Sequence, residues 1–376
     1  MSLSSLVDTR RVLVTVGAGG VGKTTTAAAL GVAAARRGKR VLCLTIDPAK
    51  RLAESLGIGQ MTSEAVTVDP ARFEAAGVPV KGSLTAMMLD TKRTFDDLVL
   101  KYSSTKERAE KLLRNKLYQY VSTSLAGTQE YMAMEKLVAV KDDPRYDLII
   151  LDTPPTANAL DFLDAPERLI EALDSAAMKW FVEAFQSSGK FSLNLIAKSA
   201  ATVLRTIGKI TGGGFLEAMS EFIAELNDLF GGFKERAGRV QRTLRGSDVA
   251  FVLVTSPSPP AIKEVLYFAE RLQEAQMPRG ALVVNRFHVP PPYPTVTIED
   301  AAKACRDRGL SLEEDGPERL ARAHEDAARL AALDAAHVRA LEATTGETPI
   351  TRVAELETDV HDIALLAKLS DVLMAG

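Results

Sequence analysis

The chain alternates short, almost purely apolar runs with much longer stretches in which hydrophobic residues recur every three or four positions. The short runs are Arg11 to Val16, Arg40 to Ile46, Leu84 to Leu89, Tyr146 to Leu151, Val249 to Thr255, Ala281 to Asn285 and, more weakly, Thr348 to Arg352. Runs of this length with little polar alternation suit strands buried on both faces, as in a parallel sheet. The long stretches lie at about Thr91 to Lys141, Ala165 to Leu244 and Ile298 to Ala343 and carry the helical period. The alternation predicts an α/β fold in which a mainly parallel β-sheet is flanked by helices. Pro290-Pro291-Pro292 marks a loop rather than a linker. The expected organisation is one domain over 10–352, with helical insertions at about 91–141, 165–244 and 298–343, and a C-terminal helix over 353–376.

Between the first strand and an Ala-rich helical stretch lies Gly17-Ala18-Gly19-Gly20-Val21-Gly22-Lys23-Thr24-Thr25. This matches G-x-x-x-x-G-K-[ST], and it sits in the strand, loop and helix context that a phosphate-binding P-loop needs. Gly17, Gly19, Gly20 and Gly22, with Val21 between them, let consecutive backbone N–H groups curl around phosphate oxygens. Lys23 reaches the terminal phosphates, the Thr24 hydroxyl ligates Mg²⁺, and Thr25 completes the first turn of the helix. The fold class therefore narrows to a P-loop NTPase with a large helical insertion subdomain, and the expected cofactors are ATP and Mg²⁺.

Two carboxylates stand at the carboxyl ends of strands, where α/β sheets place their ligands. Asp152 opens Asp152-Thr153-Pro154-Pro155-Thr156 and suits Mg²⁺ organisation through water, with the loop beyond it sensing the γ-phosphate. Asp47, in Ile46-Asp47-Pro48-Ala49, can orient an attacking water. Either residue taken alone serves equally well as a helix N-cap. Alongside the P-loop, the expected catalytic set is Lys23, Asp47 and Asp152.

These segments, together with Val283-Val284-Asn285-Arg286, occur in the order and spacing of the ArsA-like ATPases, which the chain resembles from about Arg11 to Arg286. That family includes the arsenite-pump ATPases and the cytosolic ATPases that deliver tail-anchored membrane proteins, and it belongs to the deviant P-loop class with MinD and ParA. The resemblance implies an ATP-hydrolysing dimer whose two nucleotide sites face each other. It also implies an adenine contact for Asn285, whose amide offers a donor and an acceptor; a strand-ending turn asparagine is the alternative. In the family a signature lysine usually occupies the position of Ala18 and reaches the partner's phosphates. Its absence implies either a heterodimer with a lysine-bearing paralogue or a homodimer that hydrolyses ATP slowly or not at all. Cys43 and Cys305 reproduce neither the metalloid ligands of the arsenite pumps nor the zinc-binding C-x-x-C pair of the eukaryotic targeting members.

The resemblance also places a client-binding helical subdomain in the second insertion. There Phe215, Met219, Phe222, Ile223, Leu226, Phe230 and Phe233 recur at three- and four-residue steps. Such a stripe is either internal packing or a groove for an apolar helix. The expected function is ATP-dependent capture or delivery of a hydrophobic membrane-protein segment. The alternatives are an ATPase subunit energising an anion or arsenite transporter, a weakly or non-hydrolysing partner subunit, and a MinD- or ParA-like spatial regulator.

Composition narrows these readings. A net charge of -3 with no basic stripe argues against nucleic acid as a partner. The apolar run Ala27 to Ala35 is far short of the roughly 20 residues a membrane span needs, so no stable membrane insertion is expected. The C-terminal helix carries Asp362 and Asp371 against Lys368, which makes it a poor anchor for anionic lipid. With no leader-like segment ahead of the P-loop, the expected location is cytoplasmic. His288, His324, His337 and His361 show no metal-ligand spacing.

Overall fold

The computed structural model describes residues 2–46, 51–59, 63–116, 118–119, 122, 128–153, 164–165, 171, 222, 235–293, 295–311 and 313–375. Eight strands form one sheet: β1 (Val12–Val16), β2 (Arg40–Thr45), β3 (Val66–Thr67), β4 (Ser83–Met88), β5 (Leu148–Asp152), β6 (Val249–Thr255), β7 (Arg279–Phe287) and β8 (Ile350–Ala354). Their spatial order is β3-β4-β2-β5-β1-β6-β7-β8. Every pairing is parallel except β3 with β4. All seven apolar runs therefore become strands, shifted by no more than two residues at most ends. β1, β5 and β6 are buried along their whole length, as strands covered on both faces must be.

Successive side chains of each strand feed two separate cores. Val12, Val14, Val16, Ile149, Leu151, Phe251 and Leu253 pack on one face. Helices Thr91–Tyr102, Lys106–Arg114, Thr128–Lys141 and Pro259–Glu274 cover that face, with the last turns of Gly316–Thr345. Leu13, Cys43, Ile150, Val252 and Val254 pack on the other, against Leu3–Thr9, Lys23–Arg36 and Ile363–Ala375. The C-terminal helix lies along Lys23–Arg36, where the Arg36 guanidinium donates to Ser370 Oγ at 3.0 Å and to Asp371 at 2.6 Å.

Two of the long helical stretches are not continuous. The first breaks after Tyr102 because Ser103 is extended, and it restarts where the Thr105 hydroxyl accepts from Arg108 N. It breaks again at extended Asn115. The third splits at Gly309, whose φ of +66° stops helix Ile298–Asp307; helix Gly316–Thr345 then begins with Pro317 in its first turn. The second, 165–244, lies mostly outside the described residues. Its last part, 235–244, is helical. There Arg236 forms a buried ion pair with Glu135 at 2.8 Å and stacks on Tyr102 at 4.0 Å, while the Tyr131 hydroxyl also donates to Glu135. The returning end of the insertion is thereby tied to two helices of the sheet domain. No helix among the described residues is long and apolar enough to cross a membrane.

Candidate nucleotide site

β1 lies at the centre of the sheet, and the strands on its two sides are reached by opposite directions of winding. Such a switch opens a crevice at the carboxyl ends of the strands. The loop from Gly17 to Gly22 fills that position and leads into helix Lys23–Arg36. Gly17 has φ +151°, and a Cβ there would sit 1.9 Å from the Val254 carbonyl oxygen of β6, so the loop is pressed against the neighbouring strand. Gly22 has φ +96° and caps the helix in the left-handed region, which only glycine enters without strain. Gly19 and Gly20 are exposed at the loop's crest, Val21 is buried beneath it, and Thr25 is half-buried in the first helical turn.

Lys23 is 5% exposed, and its ammonium folds back to donate to the Ala18 carbonyl at 2.7 Å. An ammonium has three donors, and this contact holds the charge at the loop where phosphates would lie. Ala18 itself is buried, in the same apolar cluster as Val21. Asp152, the last residue of β5, is 1% exposed. Its Oδ2 accepts from the Thr24 hydroxyl at 2.7 Å and from the Thr45 hydroxyl at 3.0 Å, while Thr15 lies 3.5 Å from Oδ1. Thr153 turns its hydroxyl back to the Thr15 carbonyl at 2.8 Å and fixes the start of the following loop. The donors around Thr24 and Asp152 are all hard oxygens, the chemistry that Mg²⁺ prefers, so these residues fit that ion.

Asp152 also acts on the core behind it. Burial and the nearby Asp152 charge push the Cys43 thiol up to about 12, so Cys43 is an inert packed thiol rather than a soft-metal ligand. No cluster of three or more His, Cys, Asp or Glu suited to a metal ion occurs among the described residues.

Asn285, near the end of β7, donates its amide to the Val21 carbonyl at 2.9 Å. It is thus built into the P-loop rather than into a free-standing strand-end turn. Asp47 lies outside the described residues, as do Pro48, Ala49, Lys50 and 154–160. The phenylalanine stripe is outside them as well, except Phe222, which is half-buried against the core face that the 235–244 helix covers. Two residues of the site carry no motif. Thr15 and Thr45 read in the sequence as ordinary strand threonines, and their pattern shows nothing of the carboxylate between them.

A family model described as an anion-transporting ATPase matches residues 10–305. The chain belongs to the ArsA ATPase family. Among curated relatives of this ArsA-family chain, "ATPase get3" of Pyrenophora tritici-repentis is 26% identical over 298 residues, covering 77% of this chain and 78% of its own length. The Aspergillus terreus protein of the same name is 27% identical, with 77% of each chain covered. The Malassezia globosa "ATPase GET3" is 25% identical, covering 78% of this chain and 77% of its own. The family match runs from β1 through β7 and includes the P-loop.

Proposed function

We propose that this ArsA-family chain binds ATP with Mg²⁺, hydrolyses it, and couples its nucleotide state to capture or delivery of a hydrophobic membrane-protein segment. The carrying observation is the convergence of Lys23, Thr24 and Asp152 from two adjacent strand ends on one loop. Backbone N–H groups of the loop and Lys23 would bind the phosphates, Thr24 and Asp152 would hold Mg²⁺, and Asn285 would steady the loop beneath the base. Bound Mg²⁺ supplies charge stabilisation at the phosphates. Asp47 is assigned the orientation of the attacking water; Asp47→Asn should leave ATP binding near wild type while phosphate release falls. Equal loss of both would make it a structural cap.

The relatives' name, get3 rather than a transporter subunit, favours the delivery reading over the anion-pump reading. The chain is proposed to work in the cytoplasm as a dimer. Mixing the purified chain with a detergent-solubilised single-span membrane protein, with ATP or ADP, should give a nucleotide-dependent complex that cross-links through residue 215 or 219. Capture that ignores the nucleotide, or cross-links absent from that stripe, would sink the delivery reading. Co-purification with an integral transporter instead would favour the pump.

A further inference from the structure

Strand β7 ends irregularly where it meets the P-loop. Its pairing with β8 shifts register between Val284 and Phe287, and Arg286 between them takes φ +58°, a left-handed conformation that is costly for a residue with a Cβ. Asn285, just before that kink, donates to the Val21 carbonyl at 2.9 Å, and a Cβ on Gly22 would sit 2.2 Å from its amide nitrogen. Just after the kink, His288 is held from two other elements. Asp334 Oδ2, on helix Gly316–Thr345, accepts from the His288 backbone N–H at 2.9 Å and from ring Nδ1 at 2.7 Å. Glu355, which follows β8, places Oε2 3.0 Å from ring Nε2 and donates its own backbone N–H to the Phe287 carbonyl at 3.0 Å. A carboxylate can only accept, so the Asp334 contact fixes a proton on Nδ1. Asp334 is the one charged residue among those this helix buries, in line with Ala331, Val338 and Leu341. A carboxylate in such a place is costly unless it is hydrogen-bonded, and its hydrogen bonds among the described residues go to His288.

We propose that His288 is a positioning residue for the nucleotide site, acting through Asn285: clamped by Asp334, it holds the end of β7 in its kinked form and so keeps the Asn285 amide on the P-loop. Without the ring's bond to Asp334, the kink can relax toward ordinary strand geometry. Side chains alternate along a strand, so a slip of one residue there would turn Asn285 away from the Val21 carbonyl. The P-loop would then be less ordered before phosphates arrive, and ordering it would be charged against nucleotide affinity. The path runs from Asp334 to His288, back three residues to Asn285, and from Asn285 to Val21. This inference rests on the nucleotide-site reading above and concerns only what holds the loop in its binding form.

The test is a set of equilibrium titrations of fluorescent ATP and ADP analogues against the full chain and its H288N, H288Q, N285A and H288Q/N285A variants, each with its thermal midpoint. The amide nitrogen of asparagine matches ring Nδ1 and that of glutamine matches Nε2, so H288N keeps the side-chain bond to Asp334 and H288Q loses it. In both, the backbone N–H of position 288 still reaches Asp334, so neither variant strands the carboxylate. H288Q should weaken binding of both nucleotides about two- to tenfold, the weight of one hydrogen bond, while H288N stays near wild type. In the N285A background the H288Q loss should vanish, because the residue through which His288 acts is already gone. Losses that add in H288Q/N285A would overturn the inference, as would a lower thermal midpoint for H288Q with nucleotide affinity unchanged. Equal weakening by H288N and H288Q would overturn it too. A wild-type chain that binds neither ATP nor ADP would remove the nucleotide-site reading itself, and this inference with it.

Discussion

The Thr24 hydroxyl donates to Asp152 Oδ2 at 2.7 Å, joining the first turn after the P-loop to the end of a different strand. The bond orients the threonine's proton toward the carboxylate and leaves its oxygen lone pairs for a hard cation. On the proposed reading Lys23, one residue earlier, supplies the phosphate-facing charge. Lys23→Ala should lower phosphate release by roughly a hundredfold or more, the scale expected for one preorganised electrostatic donor. Thr24→Ala should chiefly weaken Mg²⁺-dependent binding. Measured turnover and Mg²⁺ titration of the two variants check this, and wild-type turnover by Lys23→Ala would refute the site.

The two P-loop glycines Gly17 and Gly20 should respond differently to the same substitution. Both have positive φ, but a Cβ at Gly17 would meet the Val254 carbonyl at 1.9 Å, whereas at Gly20 nothing lies within 4 Å. Gly20→Ala should lose only the backbone term of about 1–2 kcal/mol. Gly17→Ala must also push a backbone oxygen out of β6, so it should lose clearly more. Urea unfolding midpoints of the two variants measure the difference; equal losses would mean the loop is not pressed against β6.

Most of the sheet was legible because parallel strands buried on both faces leave unbroken apolar runs such as Val249–Thr255. The edge strand Val66–Thr67 was not, since two residues paired antiparallel to β4 carry no period of their own. Helix Leu3–Thr9 went unread too: its start rests on a Ser2 side chain bonding Ser5 N, a signal one residue long. The breaks at Thr105, Gly309 and Pro317 were present as residue types, but the flanking helical period ran through them. The P-loop and Asp152 were legible because their chemistry fixes residue identity and spacing. Thr15 and Thr45 were not, because their neighbours at the site are remote in sequence.

The Arg236–Glu135 pair joins the end of the second insertion to the sheet domain, with both side chains less than a tenth exposed. Removing one partner strands the other as a buried charge. Arg236→Met should destabilise the chain by about 3–5 kcal/mol, while the double variant Arg236→Met, Glu135→Leu should recover much of that loss. Chemical unfolding of the two variants decides the point. A loss below about 1 kcal/mol for the single variant would place the pair in water rather than in the core.

A surface pair gives the acid response. The Asp147 carboxylate accepts from Arg40 N at 2.8 Å and from Arg40 Nη2 at 2.7 Å, and these bonds hold it at about 2, below its usual 3.8. A depressed folded value contributes stability above the unfolded value, and that contribution disappears as pH falls through the folded one. Because the pair is largely exposed, screening keeps it to roughly a few tenths to 1 kcal/mol. Asp147→Asn should therefore be less stable than wild type by a constant amount above about pH 4, and the gap should close between about pH 4 and 2. A gap that persists unchanged to pH 2 would assign the loss to packing.

Ala18 gives an expectation for how the isolated chain turns over ATP. Its carbonyl accepts from Lys23 at 2.7 Å and the residue is 8% exposed, so the loop carries a methyl group at the position where the resemblance implies a lysine. A methyl group brings no charge to a neighbouring phosphate. Lys50 and Arg51 follow the Asp47 segment in the sequence and are the candidates to substitute for that charge, with a solvated helix start as the alternative reading. The purified chain should therefore hydrolyse ATP slowly, or require a lysine-bearing paralogue to complete one of two composite sites. In Ala18→Lys the long aliphatic stem can follow the loop while the ammonium reaches outward. If two copies face each other, that variant should raise phosphate release by roughly tenfold or more, since one cation on the transferring phosphoryl group is worth at least that much. The gain should appear only at protein concentrations where the dimer forms. Rapid turnover by the unmodified chain with no gain from Ala18→Lys would show that the missing charge is supplied from within this protomer.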